Sequence, residues 1–374
     1  MGLPLLLVAL ACHAPADTGL ADPPPAWVPP DAWGPYGVGV LTLEFTDPRG
    51  KELVAEVWYP AVVEPETPAD PYPEILVALD AHREAPPDTR GAPYQLLAFS
   101  HGFSAIRYQS AFLTEWLASH GYVVVAPDHP DNTLLDLDPD LTWKVMLERP
   151  DDVRHSVDEV FAEARRDGLL AGLTVEGDYG ALGHSFGAVT ALILAGGEPD
   201  WEGVLAYCAE HDVFVCGYLT DDLDPADIAG HGTVDPRAVL TVPMAPGVWY
   251  AFGSGGANLA TVRQPFVLGG DRDQVLDYAT EIRPVYEALG APKRLGTLAD
   301  AGHYAFSDIC LFAPFIADDC DEDGDWIDID LAQAIVRTEV TAFLDGHLLG
   351  IAEAAPYLEA EYTARWPELT TEEE

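Results

Sequence analysis

The stretch ALGHSFGAVTALI, residues 181–193, holds a single serine, Ser185, between Gly183 and Gly187. The apolar residues before the serine are typical of a buried strand, and those after it are typical of a helix. Only glycine-sized neighbours let the backbone segments pass each other in so tight a turn. The stretch therefore predicts a strained strand-to-helix turn that lifts Ser185 above a sheet edge. There the partial positive charge of the helix N-terminus favours developing negative charge.

Strand and helix patterns alternate along the rest of the chain. Period-two or continuous apolar runs predict strands, and apolar residues at helical spacing predict helices. The predicted strands cover 38–45, 53–60, 94–100, 122–128, 177–185, 238–246 and 264–270, and the predicted helices cover 108–121, 149–168, 186–197 and 330–349. This alternation indicates an α/β fold with a doubly wound, mostly parallel sheet.

A serine hydroxyl needs a base and an acid before it acts as a nucleophile. Of the 11 histidines, His303 lies in a loop of small residues after the predicted last strand, and it follows Ser185 in the chain. The segment QPFVLGGDRDQ offers two aspartates at a strand end, Asp271 and Asp273. We predict Asp273 as the acid because it stands where the acid usually follows that strand, with Asp271 as the alternative.

An oxyanion would need two backbone N–H donors. We predict the amide of Phe186, directly after the serine, and that of Phe103 in SHGFSA, where Gly102 lets the loop bend towards the reacting carbonyl. Phe103 and Trp249 are also candidates for the substrate wall. A buried core tryptophan is an equal alternative for Trp249.

Three motifs together resemble a known group of enzymes. They occupy residues 98–133 (AFSHGFSAIRYQSAFLTEWLASHGYVVVAPDHPDNT), 183–188 (GHSFGA) and 301–308 (AGHYAFSD). The chain from about Val38 to Gly350 resembles predicted dienelactone-hydrolase-type serine hydrolases, which are similar to platelet-activating-factor acetylhydrolases and to bacterial polyester hydrolases of the cutinase type. The resemblance implies the α/β-hydrolase fold. It also implies a triad of Ser185, Asp273 and His303, with the amides of Phe103 and Phe186 as the oxyanion hole.

Two departures keep the substrates of these families from being transferred. Secreted phospholipid acetylhydrolases carry their acid after the strand that matches VLTVPMAP, which has no acidic residue here. Dienelactone hydrolases use a cysteine nucleophile where this chain has Ser185. The predicted function is hydrolysis of carboxylic esters through an acyl-enzyme, as a carboxylesterase, lipase or polyester hydrolase, without a catalytic cofactor. The alternatives are a peptidase of the same fold and a non-catalytic, surface-binding lipoprotein.

The charge of the chain is strongly negative. Its 63 acidic and 18 basic residues give a net charge of −45. Such a field repels nucleic acids and anionic lipid surfaces, so neither is expected as a partner. We interpret the acidity as a solubility feature, and we expect a monomer whose partner is a small-molecule, lipid or polymer ester.

The N-terminus predicts export. MGLPLLLVALAC is too short to span a bilayer and has the shape of a secretion signal that ends at Cys12. We predict a signal peptide at 1–11 with lipidation of Cys12, or else an ordinary cleaved signal of a secreted or periplasmic protein. The other predicted divisions are a proline-rich tether (12–36), a hydrolase domain (37–350, with an insertion at about 200–237) and an acidic C-terminal tail (351–374).

The remaining four cysteines form two local pairs in the sequence. In an oxidising compartment, Cys208–Cys216 and Cys310–Cys320 are the simplest of three connectivities. Zinc is set aside because the spacing fits no zinc pattern.

An acidic run in DCDEDGDWIDID, residues 319–330, resembles a calcium loop in its oxygen-ligand spacing. The candidate ligands are Asp319, Asp321, Asp323, the carbonyl of Asp325, and Asp330. The alternative is a solvated loop, since the chain is acidic throughout. Any calcium here would be structural and remote from the ester chemistry.

Overall fold

A mixed sheet forms the centre of the computed structural model, which describes residues 23–64, 66–75, 77, 79–211, 213, 216–217, 233–320 and 325–374. The strands are β1 (Gly37–Thr46), β2 (Glu52–Ala61), β3 (Ala81–Arg83), β4 (Gln95–Ser100), β5 (Tyr122–Pro127), β6 (Tyr179–His184), β7 (Ala238–Met244), β8 (Phe266–Gly270), β9 (Arg294–Leu298) and β10 (Leu369–Glu373). Their order in the sheet is β10-β9-β8-β7-β6-β4-β5-β2-β1-β3.

Six neighbouring strands, from β5 through β4, β6, β7 and β8 to β9, are parallel. The strands β1 and β2 form an antiparallel hairpin beside β5, and β10 is antiparallel to β9. The predicted mostly parallel sheet is thereby confirmed. The carboxyl ends of its parallel strands share one edge, which is where ligands bind in sheets of this kind.

Helices cover both faces of the sheet. They are α1 (Ala111–Ser119), α2 (Thr142–Ala164), α3 (Phe186–Leu194), α4 (Trp201–Cys208), α5 (Arg283–Ala288), α6 (Ile309–Phe312), α7 (Ile329–His347), α8 (Ala355–Leu358) and α9 (Ala360–Thr363). None of the helices in the described ranges is both long and apolar enough to cross a membrane.

The run of valines in β5 shows why a strand buried on both faces is continuously apolar. Val123 and Val125 belong to the hydrophobic cluster that includes Val157 of α2. Val124 between them belongs to the other cluster, which includes Leu117 of α1. Successive side chains point to opposite faces, so each face of the strand needs an apolar residue.

The N-terminal segment differs from the predicted tether where the structure describes it. The indole N–H of Trp27 donates to Asp345 Oδ2 at 2.8 Å. The rings of Trp33 and Trp116 pack edge to face with centroids 5.5 Å apart, and the amide of Gly34 donates to Ser119 Oγ at 3.1 Å. Hydrogen bonds and ring contacts with the domain therefore fix a proline-rich segment that has no periodicity of its own. The predicted signal peptide and Cys12 lie outside the described residues.

The folded region also extends beyond the predicted boundary at residue 350, because β10 adds a strand to the sheet. Basic residues on and beside β9 form ion pairs with the carboxylates of this acidic strand. Arg294 pairs with Glu373, and Lys293 Nζ lies 3.1 Å from Glu374 Oε2. Glu373 and Glu374 are thus partly neutralised by basic residues of, and directly before, the strand that β10 covers. Much of the predicted insertion at 200–237 lies outside the described residues.

The four cysteines are paired as Cys208–Cys216 and Cys310–Cys320, with Cα–Cα distances of 5.3 Å in both. The two local bridges fit the predicted connectivity. Helix α2 begins at Thr142, seven residues before the predicted start at 149, and it continues through Pro150. The short edge strand β3 has only three residues and was not predicted.

A buried carboxyl, Asp308, generates a pH-dependent prediction. Its Oδ2 accepts from the amide of Phe112 at 2.8 Å, and burial raises the pKa of Asp308 to about 7. A carboxyl with a raised folded pKa holds its proton in the native state while the unfolded chain has lost it. Its contribution to stability is therefore present at low pH and is lost as pH rises from about 4 towards 7.

We expect the melting temperature of wild-type protein to fall between pH 5 and pH 7.5, and to fall less steeply in Asp308→Asn. Calorimetry of both proteins across this range measures the difference in slope. Asp271→Asn, which removes an exposed carboxyl, is the control and should keep the wild-type slope. Parallel curves for wild type and Asp308→Asn would contradict the prediction.

Candidate active site

The turn at Ser185 has the strained geometry that the sequence predicts. Ser185 follows β6 directly, with φ 56° and ψ −118°, and α3 begins at the next residue. Its amide donates to the carbonyl of Met244 at 2.9 Å. A Cβ on Gly187 would lie 1.8 Å from the carbonyl oxygen of Ser100, and one on Gly183 would lie 2.2 Å from that of Gly187. Both glycines are therefore required for this turn.

The structure brings Asp273 and His303 together. Oδ2 of Asp273 lies 2.7 Å from Nδ1 of His303. The other oxygen accepts from the amides of Val275 and Leu276 at 2.8 and 2.7 Å. Asp273 is thereby buried and held in one orientation, since three donors face its two oxygens.

Asp271 takes another position. Its side chain is exposed, and Oδ1 accepts from the amide of Asp300 at 2.8 Å. Asp271 thus accepts a hydrogen bond from the backbone of the turn that precedes His303, whereas Asp273 contacts the imidazole. Of the two aspartates left open by the sequence, only Asp273 has the geometry of a histidine partner.

Ser185 and His303 line the same cavity, which has a volume of about 390 Å³. Its described wall is mainly apolar and holds no Asp, Glu, Lys or Arg. The apolar side chains of the wall include Phe103, Phe186, Val248, Leu276, Ile309 and Phe312. A mainly apolar cavity that also contains a few polar side chains, here including Ser185 and His303, is typical of a small-molecule site.

The structure places Trp249 away from this wall, and Val248 lines the cavity instead. The indole N–H of Trp249 donates to the carbonyl of Thr280 at 2.9 Å, and its ring packs edge to face on Tyr207. The indole is held by a backbone carbonyl and a neighbouring ring and is only partly buried, which differs from the buried-core alternative. Substrate contact by Trp249 stays a prediction.

Phe103 and Phe186 meet at the cavity, with ring centroids 6.1 Å apart. A buried arginine of α2, Arg149, reaches the segments of both. Its guanidinium donates to the carbonyl of His101, two residues before Phe103, and lies over the ring of Phe186 with Cζ 4.6 Å from the centroid. Burial lowers the pKa of Arg149 to about 9. One side chain thus ties the two predicted oxyanion segments together.

A second serine–histidine–aspartate array lies behind these segments. His129 Nε2 is 2.9 Å from Ser100 Oγ, and His129 Nδ1 is 3.0 Å from Asp152 Oδ2. All three side chains are at most 1 % exposed, and burial holds the pKa of His129 well below its ordinary value. Sequence reasoning did not find this array or Arg149. The only available signal was a histidine directly after a buried strand, in VVVAPDH.

The predicted calcium ligands are not brought together among the described residues. Asp319 is buried, and its Oδ2 accepts from the amide of Tyr304, beside His303, at 2.7 Å. The carbonyl of Asp325 accepts from the guanidinium of Arg272. Asp321 and Asp323 lie outside the described residues, and no group of three or more potential metal ligands occurs in the described ranges. Calcium stays a prediction, whereas Asp319 has a structural contact at the site itself.

Comparisons with known proteins agree with this geometry. A family model described as platelet-activating factor acetylhydrolase, isoform II, matches residues 75–135, which include Gly102 and Phe103. A search of curated proteins gives no match. The solved structure of a ferulic acid esterase from Streptomyces cinnamoneus is similar over 90 % of this chain and 96 % of its own, with 22 % sequence identity and a TM-score of 0.57. The likeness to the solved structure shows the α/β-hydrolase fold, and the family match over residues 75–135 supports a hydrolase.

The loop closed by Cys310–Cys320 generates a prediction about the site. This loop carries Phe312 at the cavity wall and Asp319 against the amide next to His303. Opening the disulfide adds conformational freedom to the loop. In Cys310→Ser/Cys320→Ser we expect the rate of Ser185 labelling by a fluorophosphonate to fall roughly tenfold, because a misplaced histidine activates the serine poorly.

The other disulfide supplies the matched control. Cys208 and Cys216 close a loop of similar length, and neither lines the cavity. The double variant Cys208→Ser/Cys216→Ser should label within about twofold of wild type if remote loops matter little. Equal losses in both double variants would show that the effect is general and not specific to the loop beside His303.

Proposed function

We propose that this chain is an exported serine hydrolase that cleaves carboxylic esters through Ser185, His303 and Asp273. The observation that carries the proposal is the 2.7 Å contact between Asp273 and His303, in a cavity that the strained Ser185 also lines. Each residue follows the carboxyl end of a parallel strand, so three separate parts of the sequence meet at one sheet edge.

The contact with Asp273 orients the imidazole for general-base catalysis. His303 Nδ1–H donates to the carboxylate, which leaves the lone pair of Nε2 to take the proton of Ser185. The serine oxygen then attacks the ester carbonyl, and the protonated histidine gives its proton to the departing alcohol. Water, activated by the same histidine, attacks the acyl-enzyme and releases the acid. These steps require no cofactor.

The negative oxygen of each tetrahedral intermediate needs donors that are already in place. The amides of Phe186 and Phe103 take this role, helped by the N-terminus of α3. Arg149 holds the carbonyl of His101 and the ring of Phe186, so the two donor segments keep a fixed separation. A preorganised hole of this kind costs no rearrangement when charge develops.

The cavity favours an uncharged, apolar acyl group. About 390 Å³ accommodates a short to medium chain or one aromatic ring, and no charged carboxylate or ammonium side chain occurs in its described wall. The same feature argues against the peptidase alternative, since an α-amino group would find no acidic partner there. The acidic surface also keeps the enzyme away from anionic membranes.

The proposal also includes export of the enzyme from the cytoplasm. The two local disulfides fit an oxidising compartment. The signal-like residues 1–11 and Cys12 suggest a lipoprotein or a secreted protein, and we propose that the enzyme acts as a monomer outside the cytoplasm.

Replacement of the triad residues tests the chemistry. We expect Ser185→Ala to abolish hydrolysis of p-nitrophenyl butanoate while leaving the melting temperature nearly unchanged. Asp273→Asn should lower kcat by about 10⁴-fold, because the amide favours the wrong histidine tautomer. Asp271→Asn, the matched control, should keep more than half of kcat. The assignment fails if Ser185→Ala retains a tenth of kcat, or if the two aspartate variants rank in the reverse order.

Substrate size and charge test the cavity. p-Nitrophenyl esters from acetate to palmitate should show the highest kcat/KM at short to medium chain length. A succinate half-ester should react at least tenfold more slowly than butanoate, since a charged acyl group loses its hydration in an apolar wall. A polyester film and a peptide p-nitroanilide complete the series. Preference for the peptide substrate would favour the peptidase instead.

A further inference from the structure

A glutamine beside the cavity connects segments that are far apart in the sequence. Gln109 lies just before α1 and is 2 % exposed. Its Oε1 accepts from the amide of Gly102 at 2.6 Å, and its Nε2 lies 2.5 Å from Nδ1 of His184. Both polar ends of one amide are therefore used, one on the segment before Phe103 and one on the residue before Ser185.

His184 continues this connection. Its Nε2 lies 2.8 Å from the carbonyl oxygen of His303. Burial holds the pKa of His184 well below its ordinary value, so the ring is neutral and carries one N–H. A carbonyl can only accept, which places the hydrogen on Nε2. Nδ1 is then the acceptor for the Gln109 amide, and every contact pairs a donor with an acceptor.

The contacts around Gly102 leave little freedom at this point. A Cβ on Gly102 would lie 3.1 Å from Gln109 Oε1 and 3.5 Å from Ser185 Cβ. The side-chain amide of Gln109 thus lies where Gly102 packs beside the serine turn. Three hydrogen bonds in series join the loop, the turn and the backbone of His303.

We propose that Gln109, acting through His184, is a positioning residue. It fixes the relative positions of the segment before Phe103, the turn at Ser185 and the backbone of His303. The proposal rests on the function proposed above. Catalytic groups must be held within about 0.5 Å of their productive geometry, and buried hydrogen bonds to neighbouring backbone are the usual means. A leucine at position 109 removes both bonds, whereas a glutamate keeps the acceptor for Gly102 and changes only the group that faces His184.

The two variants should differ in how kcat depends on pH. In Gln109→Glu, a proton shared between the carboxyl and His184 Nδ1 restores the contact at low pH. Loss of that proton at higher pH leaves a carboxylate against a lone pair. We expect kcat of Gln109→Glu, relative to wild type, to fall as pH rises from 5.5 to 8.5. The relative kcat of Gln109→Leu should stay low throughout, reduced by roughly 10- to 100-fold with KM within about threefold.

The matched control is Gln333→Leu, which removes another buried glutamine. The Nε2 of Gln333 donates to the carbonyl of Ser307 at 3.1 Å. This variant should lose thermal stability as Gln109→Leu does, but keep kcat within about twofold and the wild-type pH profile. If both leucine variants lose activity equally, or if Gln109→Glu follows the wild-type profile, the positioning role is overturned.

A readout without turnover separates this proposal from the proposed function. In ¹⁵N-histidine-labelled protein, nuclear magnetic resonance should show His184 as the Nε2–H tautomer from pH 5 to 8, with His184→Phe identifying the signal. In Gln109→Leu the His303 carbonyl still keeps the hydrogen on Nε2, but Nδ1 loses its donor, so we expect the ¹⁵N resonance of Nδ1 to move downfield towards that of a ring nitrogen without a hydrogen bond. An unchanged Nδ1 resonance would overturn the proposal even if esters are hydrolysed. A wild-type enzyme that cleaves no ester, together with a Gln109→Leu variant that shows this shift, would overturn the function and leave the hydrogen-bonded connection supported.

Discussion

The close approach of the Ser185 turn to the end of β4 constrains the rest of the site. With φ 56° at Ser185 and no room for a Cβ at Gly187, the backbone of α3 passes directly beside the carbonyl of Ser100. This contact fixes where α3 begins, and with it the direction of its N-terminus. It also places the loop after β4, with Gly102 and Phe103, against the serine. The strain is maintained because β6 is hydrogen-bonded on both sides, to β4 and β7.

Several of the few basic residues of this acidic chain pair with carboxylates that are buried or nearly so. Arg107 pairs with Glu56, Glu74 and Asp128, and Arg49 and Lys51 both contact Asp152. Breaking such a buried pair leaves an uncompensated charge, which costs about 3–5 kcal/mol. The negative charge in excess of these pairs lies mostly on side chains that reach solvent, where water and ions screen it. Net charge therefore informs about solubility and partners, whereas the fold depends on the placement of a small number of arginines.

Local patterns predicted most of the sheet and the residues of the site, and the failures share a physical cause. The valine run of β5 and the glycines around Ser185 carry signals within a few residues, so both were found. Trp27 and β10 depend on distant partners, Asp345 and β9, and no local pattern indicates burial against them. The calcium loop at 319–330 stays a prediction, but its local spacing could not show that Asp319 has a backbone partner beside His303. Gln109 could not be found either, because its two partners come from positions 102 and 184, and the connection continues from His184 to position 303.

Two arrays of serine, histidine and aspartate in one molecule show what the residue types alone do not determine. The Ser100–His129–Asp152 array has hydrogen-bond distances of 2.9 and 3.0 Å, which would suit a catalytic triad. Its serine, however, ends a regular strand, also lies 3.3 Å from a guanidinium nitrogen of Arg149, and has no access to a cavity. Its histidine is too deeply buried to take on the positive charge that general-base catalysis requires. Ser185 instead stands on a strained turn at a helix N-terminus, beside a cavity and a histidine that Asp273 can stabilise once it is charged. Access and the capacity to carry charge are what distinguish the array that we propose as reactive. The buried array instead contacts Arg149, which holds the segment before Phe103.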